Sequence, residues 1–372
     1  VRAPVIVAVA ALGPILYFLW IWKYSVNVPS WDDFDAILSY INGDFPGRLS
    51  GLLNQHNEHR ILVTRLAAEL CNSLAGCVNF KALIAFGNAA LIGIFALYCI
   101  EGRKHHLPLA YLPALSFILF APTPWIHTMW AMAAIQNIVV LLLSFLALFL
   151  FLGSRGIAKP ALAMIAAALA VFTSASGIMV FPALLVTLAL GYNRREAAQR
   201  RRFISIAVVA LCFVVVAASY FSGYTSTVHD LGAPPIAATP ANFLHYFLIL
   251  LGGAFPGGIW VSTFGGAIFA LLAATSVTRG DFRRSPVLFA MMLYLLLSAG
   301  AMALGRFTFG LEQALEPRYR IISILLTATL LELLLARSPQ AANRATVQAC
   351  ILTLAILLLV QSTLAAQRPM RK

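Results

Sequence analysis

Long segments without charged side chains constrain this chain more than any other feature. Residues 3–22 contain no charge, and further apolar runs follow at residues 81–100, 107–121, 132–153, 160–173, 177–191, 203–221, 242–255, 258–277, 286–305, 320–336 and 345–363. A helix crosses the hydrocarbon core of a bilayer with about 20 apolar residues, and several of these runs approach that length. Charged residues make up 10% of the chain, against about 25% in soluble domains. We therefore predict an all-α fold, a polytopic transmembrane helical bundle.

Short basic segments between the apolar runs predict the topology. They are EGRKHH (101–106), SRGIAK (154–159), NRREAAQRRR (193–202), TRGDFRR (278–284) and ARSPQAANR (336–344). Lys and Arg collect in cytoplasmic loops, so these segments are predicted to lie inside the cell. The formal net charge of +13 then reports topology and does not indicate a nucleic-acid partner. We predict about eleven crossings in a single transmembrane domain, residues 1–372, with the N-terminus inside.

Two stretches are too long for one crossing and are predicted to break. Residues 160–191 start and end beside basic segments, and at about 1.5 Å per residue they exceed the thickness of one bilayer core. We predict two short helices there, joined by a turn at Thr173–Gly177. In residues 242–277, a cluster of helix breakers predicts an interfacial or re-entrant segment followed by a span. These breakers are Gly252, Gly253, Pro256, Gly257 and Gly258.

With this topology, the unusual polar residues collect on the extracytoplasmic side. They lie in a first loop (23–80) that is predicted to carry interfacial helices, in a second loop with the following re-entrant segment (222–257), and in GRFTFGLEQALEPRYR (305–320). A bundle with a purely structural role does not need its polar residues on one side. The clustering therefore predicts an active site on the extracytoplasmic face.

The stretch SWDDFDAI (30–37) places Asp32, Asp33 and Asp35 shortly after the first apolar run. Ser30 is a natural N-cap, and the helix dipole stabilises carboxylates in a first helical turn, which explains one or two of the three. A carboxylate partly removed from water at a membrane surface has a raised pKa and becomes a usable general base. We predict that Asp32 or Asp33 is a catalytic base.

Apolar residues between positions 47 and 70 recur at helical spacing, which predicts an amphipathic helix lying on the membrane. His56 and Arg60 interrupt its apolar stripe. Either these two residues contact a substrate phosphate, or the helix breaks at Asn54–Asn57. The spacing in HNEH differs from the HExxH zinc signature, so no metal site is predicted.

Arg306 and Arg318 lie on the predicted outer flank, where the positive-inside rule disfavours cations. The guanidinium fork matches phosphate oxygens, so we predict an anion site at these residues and the neighbouring Tyr319. A general base combined with a phosphate clamp suits attack on the anomeric carbon of a sugar, with loss of a lipid phosphate.

Several short motifs along the chain together resemble one family of membrane enzymes. They are SWDDFD, LLNQHNEHRI, MWAMAAIQN, SASG, FSGY and GRFTFGLEQALEPRYR, spread over residues 15–335. In this order they resemble the GT-C superfamily of integral-membrane glycosyltransferases, in its poorly characterised bacterial branch. The resemblance implies a GT-C-like bundle, a polyprenyl-phosphate sugar donor that enters from the membrane, and a first-loop aspartate as catalytic base. That position corresponds to Asp32 or Asp33.

The expected enzyme moves a sugar from a polyprenyl-phosphate donor to a hydroxyl of an extracytoplasmic glycan or lipid acceptor, with inversion at the anomeric carbon. It is expected as a multi-pass protein of the bacterial inner membrane. The residues expected to bind the donor phosphate or sugar are Arg306, Arg318, His56, Arg60, Gln136 and Tyr319. No cofactor is expected to be required. The clustered carboxylates are nevertheless candidate ligands for a divalent cation. The candidates for sugar stacking are Trp31, Trp125, Trp130 and Tyr224, although an interfacial aromatic belt is the better explanation for most of them.

Two other functions fit the same sequence. A transporter or flippase of a lipid-linked glycan or small solute suits the broken helices. Such proteins carry ionisable residues near the bilayer midplane, whereas here Glu332 alone lies well inside an apolar run. A non-catalytic membrane assembly subunit is the third alternative, and it predicts that Asp32 and Asp33 are dispensable.

Overall fold

The computed structural model describes residues 3–43, 47–153, 158–191, 196–225, 236–255, 257–342 and 344–370. Nearly all of these residues are helical. Within the described part of the chain, the one sheet is a hairpin of β1 (Gln55–His56) and β2 (His59–Arg60), which pair antiparallel. The structure confirms the predicted all-α class.

The described residues form nineteen α-helices. In chain order they are α1 (Ala3–Tyr24), α2 (Ser39–Asn42), α3 (Arg48–Leu53), α4 (Leu62–Ala75), α5 (Phe80–Lys104), α6 (Leu112–Leu119), α7 (Trp125–Thr128), α8 (Ala131–Ala134), α9 (Val140–Leu152), α10 (Ala158–Val171), α11 (Val180–Leu190), α12 (Glu196–Phe221), α13 (Pro240–Gly252), α14 (Gly258–Thr278), α15 (Asp281–Arg284), α16 (Pro286–Arg306), α17 (Arg320–Arg337), α18 (Pro339–Ala342) and α19 (Ala345–Met370). The π-helical segments are Phe34–Leu38 and Ile135–Val139, and the 3-10 segments are Leu109–Tyr111, Ala175–Met179, Phe307–Phe309, Leu311–Leu315 and Pro317–Tyr319.

By length and composition, eight helices in the described residues can cross a membrane. They are Ala3–Tyr24, Phe80–Lys104, Ala131–Leu152, Arg202–Phe221, Gly258–Thr278, Pro286–Phe309, Pro317–Arg337 and Ala345–Ala366. Shorter apolar helices occupy Leu109–Leu119, Ala158–Val171, Ala175–Leu190 and Pro240–Gly252. The chain is thus a multi-pass helical membrane protein, and the count of about eleven crossings stays a prediction.

Both predicted helix breaks are confirmed. Residues 160–191 form α10 and α11, and the turn between them includes Gly177, where an added Cβ would lie 2.3 Å from the Ala170 carbonyl. Residues 242–277 form α13 and α14, which pack directly on each other. Glycine makes that approach possible, because a Cβ on Gly266 would lie 1.8 Å from the Leu248 carbonyl oxygen. Pro256, one of the predicted breakers, falls outside the described residues.

The continuous helix predicted over residues 47–70 is wrong, and the alternative of a break at Asn54–Asn57 is confirmed. The hairpin of β1 and β2 separates α3 from α4. Asn57 turns the chain with φ of +49°, a conformation that asparagine tolerates better than most residues, and Gln55 Nε2 donates to its carbonyl at 2.6 Å. His56 and Arg60 therefore lie on the hairpin and not on an apolar helical stripe.

The chain packs as two compact units. The terminal unit comprises Val1–Tyr24, Phe95–Ile126 and Asp230–Lys372, and the central unit comprises Ser25–Ile94 and His127–His229. In the central unit α9 packs on α10 and α11, and in the terminal unit α13 packs on α16 and α17. The single transmembrane domain over residues 1–372 stays a prediction.

Replacing Gly266 with alanine is expected to destabilise the helix pair α13–α14. The new methyl group would overlap the Leu248 carbonyl oxygen, and overpacking of this kind costs about 1–3 kcal/mol. Thermal unfolding of the purified protein in detergent measures the effect. Gly305→Ala in α16 is the matched control, since no atom lies within 4 Å of its added Cβ. Equal melting temperatures for the two variants would contradict the glycine contact.

Candidate functional site

Asp33 is the buried centre of the acidic cluster in the central unit. Its side chain is 1% exposed. Carboxylate oxygen Oδ1 accepts the Met132 N–H at 2.8 Å, and Oδ2 accepts the Ser30 N–H at 3.0 Å. One carboxylate therefore joins the turn after Pro29 to the start of α8. Ser30 was predicted as an N-cap and this is wrong, because the helical segment starts at Phe34 and Asp33 precedes it.

The environment of Asp33 sets its proton affinity. Burial raises the pKa of this carboxyl from 3.8 to about 6, although the N–H groups of Met132 and Ser30 oppose the increase. The Trp130 indole also faces the carboxylate and lowers the pKa slightly, without a well-formed hydrogen bond. The charge of Asp32 adds a small increase. The Asp33 carboxyl therefore keeps its proton to a higher pH than an ordinary aspartate does.

Asp32 is the accessible carboxylate of the pair. Its side chain is 39% exposed, and its Oδ2 lies 3.8 Å from Nε2 of His56, which is 9% exposed. The predicted base and the predicted phosphate ligand His56 are therefore neighbours. A protonated His56 would form an ion pair with Asp32, and a neutral one can exchange a proton with a group bound between them.

Two tryptophans flank the acidic cluster. The rings of Trp31 and Trp130 meet edge to face, with centroids 5.1 Å apart and an interplanar angle of 89°. Trp31 has φ of +47° and is 65% exposed. A bulky residue in the left-handed region is uncommon and signals a strained turn of the kind found at functional sites.

Gln136 lies close in sequence to the residue that anchors Asp33. It is 3% exposed and belongs to the π-helical segment Ile135–Val139, which begins three residues after Met132. The other π-helical segment, Phe34–Leu38, directly follows Asp33. Single π-helical turns occur often at functional sites, and here both lie in one unit beside the same hydrogen-bonded carboxylate.

The hydrogen bonds of Arg60 give this residue a structural role. Its Nε donates to the Tyr220 carbonyl at 2.7 Å, while Nη1 donates to Leu53 and Nη2 to Ser222. The guanidinium also lies over the Tyr220 ring, with Cζ 5.9 Å from the centroid. Arg60 thus joins the hairpin to the end of α12. Its binding to the phosphate or sugar of the donor substrate stays a prediction.

Arg65, which was not predicted as a site residue, is the bulkiest fully buried side chain among the described residues. It is 1% exposed, and Nη1 donates to the carbonyls of Gly51 at 2.6 Å and Asn54 at 2.7 Å. Burial lowers the pKa of its guanidinium to about 10. A signal existed, since Ile61, Thr64, Arg65 and Ala68 follow the i, i+3, i+4, i+7 spacing of one buried helix face. A hydropathy profile does not reveal that helix face, because two of its four residues, Thr64 and Arg65, are polar.

The terminal unit brings Arg306, Arg318 and Tyr319 together. The guanidinium carbons of Arg306 and Arg318 lie 6.0 Å and 5.0 Å from the centroid of the same Tyr319 ring. Tyr319 is 6% exposed and packs against Tyr246, whose hydroxyl donates to Gln313 Oε1 at 3.1 Å. Both arginines are half-buried.

An acidic side chain already contacts one of these two arginines. Arg318 Nε forms an ion pair with the Glu316 carboxylate. The pair is partly exposed, and exposed ion pairs contribute little to stability, so a phosphate can replace the Glu316 carboxylate at small cost. The arrangement therefore has the chemistry of an anion site.

Comparisons of this chain with protein-family models, with curated proteins and with solved structures give no match. The class that the fold defines is a multi-pass helical membrane protein. Within the described residues, no group of three or more His, Cys, Asp or Glu side chains is arranged to hold a metal ion. Membership of the GT-C superfamily stays a prediction that depends on the sequence motifs.

Raising the pH is expected to lower the free energy of unfolding of the wild type relative to Asp33→Asn. The native state keeps the Asp33 proton up to a pKa of about 6, whereas the unfolded chain releases it near 3.8. The native state therefore binds more protons between these values. The contribution is full below the lower pKa and falls by on the order of 3 kcal/mol as the pH rises through the higher one.

Unfolding of the two proteins in detergent, from acid to neutral pH, measures this difference. Asp35→Asn is the matched control, because Asp35 is an exposed residue of the same turn. The wild type and the control should follow parallel curves. Parallel curves for the wild type and Asp33→Asn would show that the Asp33 pKa is not raised.

Proposed function

We propose that this chain is a membrane glycosyltransferase of the GT-C type. It would move a sugar from a polyprenyl-phosphate donor to a hydroxyl of a glycan or lipid acceptor, at the extracytoplasmic face of the bacterial inner membrane. The observation that supports this most strongly is the carboxylate pair beside His56. Asp33 is buried and has a pKa of about 6, while Asp32 is partly exposed and 3.8 Å from the imidazole.

In this proposal Asp32 is the general base. Both oxygens of Asp33 already accept backbone N–H groups, so Asp33 acts as a positioning residue that fixes the turn on which Asp32 lies. Asp32 removes the proton from the acceptor hydroxyl, and the oxygen attacks the anomeric carbon. The bond from that carbon to the lipid phosphate breaks, and the phosphate leaves with the electron pair. Direct displacement inverts the anomeric configuration.

The arginine pair of the terminal unit is proposed to bind the donor phosphate. Two guanidiniums around one Tyr319 ring offer several N–H donors to phosphate oxygens, and positive charge stabilises a departing phosphate. Ring contacts hold both side chains in place before a ligand binds. An anion-binding site of this kind also fits a lipid-phosphate carrier that is not an enzyme.

Release of polyprenyl phosphate by the purified chain in lipid nanodiscs tests the proposal. The substrates are a panel of radiolabelled polyprenyl-phosphate sugars with candidate acceptors. Asp32→Asn is expected to lose at least about 100-fold in rate, since it removes the general base. Arg318→Ala is expected to weaken donor binding, and the exposed neighbour Asp35→Asn should behave as wild type. Donor binding without release across the whole panel would overturn the proposal.

A transporter of lipid-linked glycan or small solute is the second candidate. Glu332 favours it, because this carboxyl is fully buried in the candidate span Pro317–Arg337. Ionisable residues inside spans commonly mark the pathway of a substrate or proton. Movement of the intact donor across proteoliposomes, abolished by Glu332→Gln and retained in Asp32→Asn, would favour transport over transfer.

A further inference from the structure

We infer that Glu332 is a proton-binding site in the terminal unit, where its buried carboxyl group holds a proton and faces the Tyr111 hydroxyl. The inference does not depend on glycosyl transfer. It concerns a different group of side chains from the acidic cluster of the central unit, and its ligand is a proton.

Glu332 lies in a buried environment where a charged side chain costs much free energy. The side chain is 0% exposed, and the neighbouring residues Leu330 and Leu333 on α17 are also buried. Neither of its carboxyl oxygens makes a hydrogen bond of normal geometry to another described group. An unpaired carboxylate in apolar surroundings costs far more than a neutral acid, so such a group either finds a cation or keeps its proton.

The hydroxyl groups near Glu332 are neutral partners. The Tyr98 hydroxyl lies 2.6 Å from Thr329 Oγ1 and 3.1 Å from the Leu325 carbonyl, and Thr329 Oγ1 donates to that carbonyl at 2.7 Å. The Tyr111 hydroxyl lies 3.4 Å from the Tyr98 carbonyl and faces Glu332. A phenol can donate or accept, so it can share a hydrogen bond with a neutral carboxyl group in either direction. One neutral hydroxyl does not compensate a full negative charge in a buried site, so these surroundings favour the protonated acid.

The titratable groups near Glu332 in the described chain come from α5 and from the segment before α6. From α5, Tyr98, Cys99 and Glu101 lie within electrostatic range of Glu332, and Tyr111 faces it from the 3-10 segment before α6. Glu101 forms an ion pair with Lys104, whose Nζ lies 2.6 Å from one carboxylate oxygen, and its other oxygen lies 3.9 Å from His105 Nε2.

Arg103 is a further cation at this end of α5. It acts electrostatically on Cys99 and Tyr111. Glu101 carries a negative charge, which adds to the cost of a second one on Glu332. Burial and the negative charge of Glu101 therefore both favour the neutral, protonated form of Glu332.

Gly102 makes room for the Tyr111 hydroxyl. A Cβ at this position would lie 1.9 Å from the hydroxyl oxygen. Any larger residue at 102 must therefore move the phenol away from its place. The sequence EGRK thus combines a buried carboxylate that pairs with a lysine and a glycine that makes room for the Tyr111 hydroxyl.

Infrared spectroscopy of the full chain in lipid nanodiscs tests the inference. A protonated carboxylic acid has a carbonyl stretch that is separate from carboxylate and amide bands, and it shifts in heavy water. The wild type at neutral pH is expected to show this band, and Glu332→Gln is expected to lose it. Tyr111→Phe should keep the band but shift its frequency, since the carboxyl group then lacks the Tyr111 hydroxyl as a neighbour. The exposed Glu312→Gln is the matched control and should leave the band unchanged.

Thermal unfolding of the same variants provides a second measurement. Glutamine has nearly the shape of a protonated glutamate and also donates hydrogen bonds, so Glu332→Gln is expected to unfold at the wild-type temperature. A strongly destabilised Glu332→Gln would indicate a carboxylate paired with a cation and would overturn the inference. A neutral-pH spectrum without the band, or a band that survives in Glu332→Gln, would overturn it as well.

Discussion

The Asp33 carboxylate organises the acidic turn of the central unit. It is buried, yet it accepts a backbone N–H from Ser30 on one oxygen and from Met132 on the other. These bonds join chain segments almost a hundred residues apart and hold the turn that contains the strained Trp31. Because the Asp33 carboxylate is bonded on both sides, the neighbouring Asp32 can remain exposed while its backbone is held. The chemistry proposed for Asp32 depends on that restraint.

Backbone groups compensate much of the buried charge in the central unit. Arg60 donates to three carbonyls, and Arg65 donates to those of Gly51 and Asn54 from a fully buried position. Such bonds use the planar guanidinium fork to join segments that are distant along the chain. The Asp33 carboxylate is likewise bonded to two backbone N–H groups. These two donors lower the pKa of Asp33, but the burial of the carboxyl group raises it by more, so the pKa of Asp33 stays raised.

The helices and their breaks were largely predictable from the sequence. Long apolar runs give spans because hydropathy and length decide membrane insertion, and the glycines at 177 and 252–258 mark the breaks. The hairpin at residues 55–60 was harder, because leucines on both sides continue a helical period through it. What breaks the period is the backbone of Asn57 and the side-chain bond from Gln55, and neither has a hydropathy signature.

The candidate site was predictable in its residue types but not in its division of roles. The sequence indicates a carboxylate pair, and it cannot tell that Asp33 is enclosed by backbone donors from Ser30 and α8 while Asp32 meets His56. Those contacts come from tertiary structure. Arg65 was missed for a similar reason, since its burial depends on carbonyls that the turns before α4 expose. The shared ring of Tyr319 likewise requires the chain to turn back through three short 3-10 segments.

Direct titration of the Asp33 carboxyl carbon tests the central claim most directly. Carbon-13 labelling of the aspartate side chains, with resonances assigned from Asp33→Asn and Asp32→Asn, gives a pKa for each group in detergent or nanodiscs. The account predicts a midpoint of about 6 for Asp33, because burial outweighs its two backbone hydrogen bonds. A midpoint at or below the ordinary 3.8 would contradict it and would show that the carboxylate is exposed to water or paired with a cation.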